Sequence, residues 1–138
     1  MAQFVGKWKT INSTRKNYEE YCSSSGIPKD LIDKYRDVVT VMDMKQDGDK
    51  WLITYDTGLG PPQSYTFILG QELVTKDFEG KGVKATATLS EDGIWTDKTS
   101  HEIMGYKETI TTKRVEGNKM IASTTCGGVT MTYELEKQ

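Results

Sequence analysis

Cysteine is scarce in this sequence of 138 residues, which contains only Cys22 and Cys126. Two cysteines are too few to define a disulfide framework. Cys22 falls in a predicted helix and Cys126 lies beside a predicted hairpin. We therefore expect two free thiols. The chain is long enough to bury one sizeable core, and no linker divides it, so residues 1–138 are expected to form a single domain.

Neither an excess of one charge nor a long apolar run is present. Lys and Arg total 18 against 20 for Asp and Glu, a net charge of -2. No field of one sign is available to attract nucleic acid strongly, so we expect no nucleic-acid partner. No run approaches the roughly 18 apolar residues that cross a bilayer. The opening MAQFVGKWKT lacks the segments of a secretory leader. These features predict a soluble cytoplasmic protein.

Residue patterns of catalysis are also missing. The one histidine, His101, is flanked by Ser100 and Glu102, and we expect it to be a surface strand residue. There is no Gly-x-Ser-x-Gly elbow, no Walker loop and no His/Cys cluster with metal-ligand spacing. Gly80 and Gly82 lie between predicted strands and not ahead of a helix, so they are turn glycines and not a phosphate cradle. The sequence predicts no enzyme, no catalytic residue, no cofactor and no metal.

Short segments rich in Thr, Val, Ile, Tyr and Trp follow one another from Val39 to the end of the chain. Turn signals such as Asp47-Gly48-Asp49 and Glu116-Gly117-Asn118 separate them at intervals of about ten residues. An earlier strand is predicted near 4–12. The later strands are predicted near 39–46, 50–57, 63–69, 72–78, 83–90, 93–103, 106–115, 118–125 and 128–136. This pattern is typical of an all-β meander of ten strands.

Residues 15–37 have a different pattern, with apolar positions at helical spacing. Tyr18, Tyr21 and Cys22 recur at intervals of three and four residues and predict a short amphipathic helix. Pro28 is expected at the first helical position of a second helix, and an apolar stripe follows it at Leu31, Ile32 and Tyr35. Two short helices are therefore expected between the first strand and the meander.

Two late strands differ in how their faces are built. In the last strand, Val129, Met131, Tyr133 and Leu135 alternate with polar residues, which predicts one buried face. The strand near 106–115 is polar on both faces, with Lys107, Thr109, Thr111 and Lys113 on one of them. Such a strand suits a barrel whose interior holds water and a ligand. Periodicity alone equally favours a solvent-exposed or edge strand.

Several short motifs appear in an order that carries a resemblance over the whole chain. They are Phe4-Val5-Gly6-Lys7-Trp8, Asn17-Tyr18-Glu19-Glu20-Tyr21, Gly26, Asp47-Gly48-Asp49, Phe67-Ile68-Leu69-Gly70-Gln71-Glu72, Lys107-Glu108-Thr109 and Gly128-Val129-Thr130. In order and spacing they resemble the intracellular lipid-binding protein family of fatty-acid-binding and cellular retinoid-binding proteins. The resemblance implies a ten-stranded antiparallel up-and-down β-barrel with a two-helix lid between its first and second strands. It also implies a monomer that holds a lipid inside.

The sequence departs from the family at the head-group site and in the segment from Ser90 to Gly105, which is a few residues longer than usual. Many family members bind the ligand carboxylate with two inward arginines and a tyrosine. An ungapped alignment puts Lys113, Tyr133 and Leu135 there, and an alignment shifted by two keeps Tyr133 and puts Met131 at an arginine position. Lys113 offers one compact charge that burial tends to neutralise. We expect loose carboxylate binding and, at Tyr133, acceptance of an alcohol or sterol-like head group.

The resemblance also implies which residues line the cavity and its entrance. The candidates for the lining are Met42, Ile53, Tyr55, Phe67, Met131, Leu135, Tyr18 and Thr124. The candidates for the portal are Ile27, Leu31, Tyr35, Leu59 and Phe78. For the lining residues, ordinary core packing is the competing interpretation.

The function implied is non-catalytic binding and transport of a hydrophobic ligand, foremost a long-chain fatty acid. One alternative is a carrier of a retinoid or another lipid, because both arginines are absent. A second alternative is a protein-interaction barrel without a ligand. Membrane contact is expected to be at most transient and to use the helical lid.

Overall fold

The computed structural model describes residues 2–77 and 79–138, and a helix pair interrupts its run of strands. The strands are β1 (Gly6–Lys16), β2 (Val41–Asp47), β3 (Lys50–Asp56), β4 (Gln63–Ile68), β5 (Leu73–Lys76), β6 (Gly82–Leu89), β7 (Trp95–His101), β8 (Glu108–Glu116), β9 (Lys119–Cys126) and β10 (Val129–Lys137). The helices are α1 (Tyr18–Ser24) and α2 (Lys29–Tyr35). The predicted fold class, all-β with two helices after the first strand, is confirmed.

All ten strands form one antiparallel sheet that curls into a nearly closed barrel. Its order is β4-β3-β2-β1-β10-β9-β8-β7-β6-β5, so each neighbouring pair except β1 and β10 is also consecutive in the chain. Among the described residues no ladder joins β4 to β5, although the Gly70 backbone N–H donates to the Ala87 carbonyl at 2.8 Å. None of the helices within the described residues has the length and apolar composition of a membrane span.

Tight turns with glycine connect several of these strands. Asp47 pairs with Lys50 across the β2–β3 hairpin, and Gly48 between them has φ 62°. That left-handed backbone suits a two-residue hairpin turn and is strained for most other residues. The turn motifs in the sequence therefore correspond to strand ends in the structure.

Some boundaries differ from those predicted. β1 extends to Lys16 instead of ending near 12, and β7 is shorter than the predicted strand at 93–103 because a single 3₁₀ turn over Glu102–Met104 ends it. Pro28 is the cap residue before α2 and not its first helical residue. With φ -58° and ψ 142° it directs the chain into the helix from an extended conformation.

Aromatic side chains fill one end of the barrel. Trp51 and Trp95 meet edge to face with ring centroids 4.9 Å apart, and Phe4 packs on Trp95 at 5.6 Å. Trp8 donates its indole N–H to the Phe4 carbonyl at 3.0 Å, so its polar atom is satisfied although the side chain is fully buried. We call these four residues the aromatic floor.

The helix pair covers the opposite end through a second, smaller core. Tyr21 and Cys22 of α1 and Ile32 of α2 pack together with Cys126 at the end of β9. Tyr18 adds a hydrogen bond from its hydroxyl to the Ile32 carbonyl at 2.6 Å, which ties the two helices to each other. Both cysteines are free, as expected, and both are buried. The two cores leave a space between them.

Candidate functional site

A cavity of about 250 Å³ occupies the barrel between the aromatic floor and the helix pair. Its walls combine aliphatic, thioether, phenol and charged side chains from seven elements and the linker before β2. The lining residues are Thr10, Asn12, Arg15, Tyr18, Tyr35, Val38, Thr40, Met42, Tyr55, Lys113, Met131, Tyr133 and Leu135. The volume lies just below the range of about 300–1,000 Å³ that is common for small-molecule sites.

Lys113 and Asp97 form a buried ion pair in the wall just above the floor. The lysine Nζ lies 3.0 Å from Asp97 Oδ2, and their side chains are only 6% and 11% exposed. The indole N–H of Trp95 donates to the other carboxylate oxygen, Oδ1, at 2.8 Å. Lys113 Nζ also lies 3.7 Å from the Met42 sulfur. Each charged group therefore has specific partners within the protein.

Strand register explains why these side chains meet. In the β7–β8 ladder Trp95 is directly opposite Lys113, and Asp97 follows Trp95 by two residues. Residues two apart on a strand point to the same face, so Asp97 is the diagonal neighbour of Lys113 on the inner face. β8 lies between β7 and β9. The edge-strand interpretation of residues 106–115 is therefore wrong.

The ion pair determines the protonation state of Lys113 in the cavity wall. Burial by itself lowers the pKa of Lys113, but the Asp97 carboxylate, which also accepts a hydrogen bond from the ammonium, outweighs burial and holds this pKa above its usual value. Burial also raises the pKa of Tyr55 to about 12. At neutral pH Lys113 is an ammonium and Tyr55 a neutral hydroxyl. The expectation that burial neutralises Lys113 was wrong because it omitted Asp97.

Most of the predicted lining residues do lie in the cavity wall. They are Tyr18, Met42, Tyr55, Lys113, Met131, Tyr133 and Leu135. Three others lie elsewhere. Ile53 and Phe67 are buried among the residues packed on the aromatic floor. The Thr124 hydroxyl is hydrogen bonded to that of Thr111 at 3.0 Å. For Ile53 and Phe67 ordinary core packing is the interpretation that the geometry supports.

The predicted portal residues are spread over several environments. A second cleft of about 260 Å³ contains Leu31 and Tyr35 and shares Tyr35 and Tyr55 with the cavity. Ile27 packs on the core beneath the helices, and Leu59 is exposed on the β3–β4 connection. Phe78 lies outside the described residues. The cleft and the cavity adjoin each other at Tyr35 and Tyr55.

His101, the last residue of β7, also lines this cleft, and its side chain is partly exposed. Its Nε2 lies 2.9 Å from Asp77 Oδ2, and its Nδ1 accepts from the Ile103 backbone N–H at 3.1 Å. The histidine thereby joins the end of β7 to the connection after β5. Within residues 2–77 and 79–138 no group of three or more His, Cys, Asp or Glu side chains is arranged to hold a metal ion.

Six lining or pairing residues were missed by the sequence reasoning. They are Thr10, Asn12, Arg15, Val38, Thr40 and Asp97. Thr10 and Asn12 share the parity of Trp8 on β1, which places them on its inner face. Asp97 shares the parity of Trp95. Alternation from Trp8 and from Trp95 could therefore have identified three of the six missed residues.

Together the features define a class of protein, a hollow antiparallel β-barrel with a helical cover and a mixed polar and apolar interior that suits ligand binding. Comparison with known proteins agrees. The model of the lipocalin / cytosolic fatty-acid binding protein family matches residues 1–137. This chain belongs to that family, which is one of binding proteins and not of enzymes.

Individual relatives are similar along nearly their full length. Gastrotropin of Oryctolagus cuniculus is 29% identical over 127 residues, which cover 92% of this chain and 91% of the relative. Fatty acid-binding protein type 2 of Fasciola hepatica is 28% identical over an alignment of 143 positions, gaps included, that covers 99% of each chain. The solved structure of a Schistosoma mansoni fatty acid binding protein in complex with arachidonic acid superposes with a TM-score of 0.86. It is 23% identical and covers 100% of this chain and 98% of that one.

Proposed function

We propose that this protein binds a long-chain fatty acid inside the barrel and carries it through the cytoplasm as a monomer. The observation that carries the proposal is the space between the aromatic floor and the helix pair. Its lining includes Met42, Met131 and Leu135, which give an acyl chain apolar contacts. The tyrosines and threonines in the same wall give water or a head group hydrogen-bonding partners.

The acyl chain supplies most of the expected affinity. Each methylene removed from water contributes about 0.8 kcal/mol before ordering costs, whereas one charge-assisted hydrogen bond contributes about 1.5–3 kcal/mol. The cavity and the adjoining cleft share Tyr35 and Tyr55. A chain longer than the cavity holds can therefore extend past these two rings. Transient contact of the helix pair with a membrane would bring the cleft beside Leu31 close to a lipid source.

The family and the names of its relatives support a lipid ligand. One relative is described as a fatty acid-binding protein, and one superposed structure as a complex with arachidonic acid. These descriptions belong to those proteins. For this chain they make a fatty acid the first ligand to test.

A carrier of a neutral lipid, such as a retinoid or fatty alcohol, is the second candidate, and one observation favours it. Lys113 is already paired with Asp97, so the wall at this point has no net charge. An anionic head group beside the pair would meet no uncompensated positive charge, whereas a hydroxyl can accept from or donate to Tyr133. Neutral head groups are therefore compatible with the deep end of the cavity.

The proposal is tested with delipidated protein titrated with a fluorescent fatty acid and then with oleate or retinol as competitor. We expect saturable binding of the probe and stoichiometric displacement by oleate. Displacement by retinol but not by oleate would support the neutral-lipid candidate. No saturable binding of any of these ligands would contradict both and favour a barrel that serves protein interaction alone.

A further inference from the structure

Arg15, near the end of β1, lies at the boundary between the cavity and the surface. It lines the cavity, and it also lines an open cleft together with Asn12, Tyr18 and Arg36. Asn12 and Tyr18 are likewise common to the cavity and this cleft. The cavity and this cleft therefore adjoin each other near the end of β1, the start of α1 and the linker before β2.

A bulge in β1 puts Arg15 in this position. Ile11 pairs with Glu134 of β10 and Lys16 with Thr132, so five steps on β1 correspond to two on β10. The Thr14 hydroxyl fills the interruption by accepting from the Glu134 backbone N–H at 2.9 Å and donating to the Ile11 carbonyl at 2.6 Å. A bulge re-aims the side chains that follow it. Arg15 consequently lines the cavity although regular alternation after Trp8 would place it outside.

The guanidinium of Arg15 is held in place but keeps hydrogen-bonding capacity. Its Cζ lies 4.2 Å from the centroid of the Tyr18 ring, and one Nη donates to the Arg36 carbonyl. Five N–H donors are present in a guanidinium, and this carbonyl accepts from one nitrogen. Among the described residues Arg15 forms no salt bridge, whereas Lys113, the other cation of the cavity wall, is paired with Asp97. Arg15 is the cation that a ligand anion can neutralise.

We propose that Arg15 binds the carboxylate of the fatty acid at the lid end of the cavity, with the acyl chain directed toward the aromatic floor. The inference rests on the proposed function, because it assigns the orientation of the lipid that the proposed function places in the barrel. A fork of N–H donors matches the two oxygens of a carboxylate, and a charged pair shielded by Tyr18 is stronger than one in open water.

The dimensions along β1 fit this orientation. From Trp8 to Lys16, the residue after Arg15, β1 runs beside Lys137 to Thr132 of β10, and these five steps of regular strand correspond to roughly 17 Å. An extended long-chain fatty acid has a comparable length. Its tail then reaches Met42 and Leu135 beside the floor, where the Lys113 side chain is only 6% exposed and offers the chain little polar surface.

Acidic residues line the open cleft beside Arg15, but they do not prevent a ligand carboxylate from binding there. Glu19 is held by Arg36, whose Nη2 lies 3.0 Å from Glu19 Oε2. Glu20 and Asp37 line the same cleft and are exposed to solvent. Water and salt screen charges at such positions. Direct hydrogen bonds to the guanidinium are screened much less, so they determine where the carboxylate is placed.

The test compares the affinities of Arg15→Gln and the wild type for oleate and for oleyl alcohol, measured by displacement of an uncharged fluorescent lipid. We expect Arg15→Gln to weaken oleate binding about 10-fold to 100-fold, the loss of a charge-assisted hydrogen bond, and oleyl alcohol binding less than about 3-fold. Arg15→Lys should recover part of the oleate affinity. Lys16→Gln, which removes a charge from the adjacent exposed residue, should change neither affinity.

The other outcomes of this test would overturn the role of Arg15 or the proposed function. Equal losses for oleate and oleyl alcohol, or no loss for either, would overturn the role of Arg15 while leaving the fatty acid carrier intact. A selective loss of oleate affinity in Lys113→Met but not in Arg15→Gln would place the carboxylate at the floor and also overturn it. If the wild type binds neither lipid saturably, the proposed function fails and this inference fails with it.

Discussion

Asp97→Asn is expected to lower the free energy of unfolding by about 3–5 kcal/mol, because it leaves the ammonium of Lys113 buried without its carboxylate. The amide oxygen of asparagine can still accept from the Trp95 indole, which now donates to Asp97 at 2.8 Å. The substitution therefore removes the charge and preserves the neighbouring hydrogen bond. Urea unfolding followed by circular dichroism at neutral pH measures the loss.

Two further variants test whether the loss of stability comes from the unpaired charge of Lys113. The double variant Asp97→Asn with Lys113→Met removes both charges and should recover most of the lost stability, because no unpaired charge remains inside. Glu116→Gln breaks the exposed Arg114–Glu116 pair, whose side chains are 55% and 57% exposed, and should cost less than about 1 kcal/mol. Equal effects of Asp97→Asn and Glu116→Gln would mean that the Lys113–Asp97 pair is accessible to water in solution.

Trp51→Ala should cost about 3–5 kcal/mol, since it leaves a void in the aromatic floor that the surrounding strands fill only in part. Trp51 is fully buried and meets Trp95 edge to face at 4.9 Å. The next residue of β3, Leu52, is 39% exposed on the other face. The matched control Leu52→Ala should cost less than about 1 kcal/mol.

The same unfolding measurement compares the two β3 variants. The contrast distinguishes a filled end of the barrel from the hollow end, because a large side chain that only borders open space can be truncated at small cost. A loss below about 1 kcal/mol for Trp51→Ala would contradict the division of the interior into a packed floor and a cavity.

The fold was predictable because its determinants are local in the sequence. Turn pairs such as Gly48-Asp49 mark hairpins, and the alternation at Met131, Tyr133 and Leu135 gives the inner face of β10. In an up-and-down barrel nearly every ladder joins consecutive strands. Strand order therefore follows from chain order, and only the β1–β10 closure had to come from the resemblance to a known family.

The charge pattern of the site was less predictable because it depends on register between strands. Lys113 was identified as an inward candidate, but its partner Asp97 lies in the segment after Ser90 whose length differs from the family pattern. Without the register of β7 against β8 its face was undetermined. The pairing changes the chemistry of the wall from a free cation to a neutral pair.

The inward position of Arg15 could not be predicted from the sequence for a different reason. Period-two alternation from Trp8 places residue 15 outside, and only the bulge before Lys16 reverses that assignment. Nothing in the residues Asn12 to Arg15 marks a bulge by composition, because its stabilising contact, Thr14 to the Glu134 backbone, spans the closure of the barrel. Such a feature follows from the tertiary structure and not from the local sequence.

The most direct test of the hollow interior is an NMR measurement on protein labelled at its methionine methyl groups and loaded with ¹³C-oleate. Met42 and Met131 line the cavity, whereas Met44 and Met120 are fully buried in the packed end. We predict nuclear Overhauser contacts between the acyl chain and the methyls of Met42 and Met131, and none to Met44 and Met120. Bound oleate without contacts to Met42 or Met131 would contradict the account.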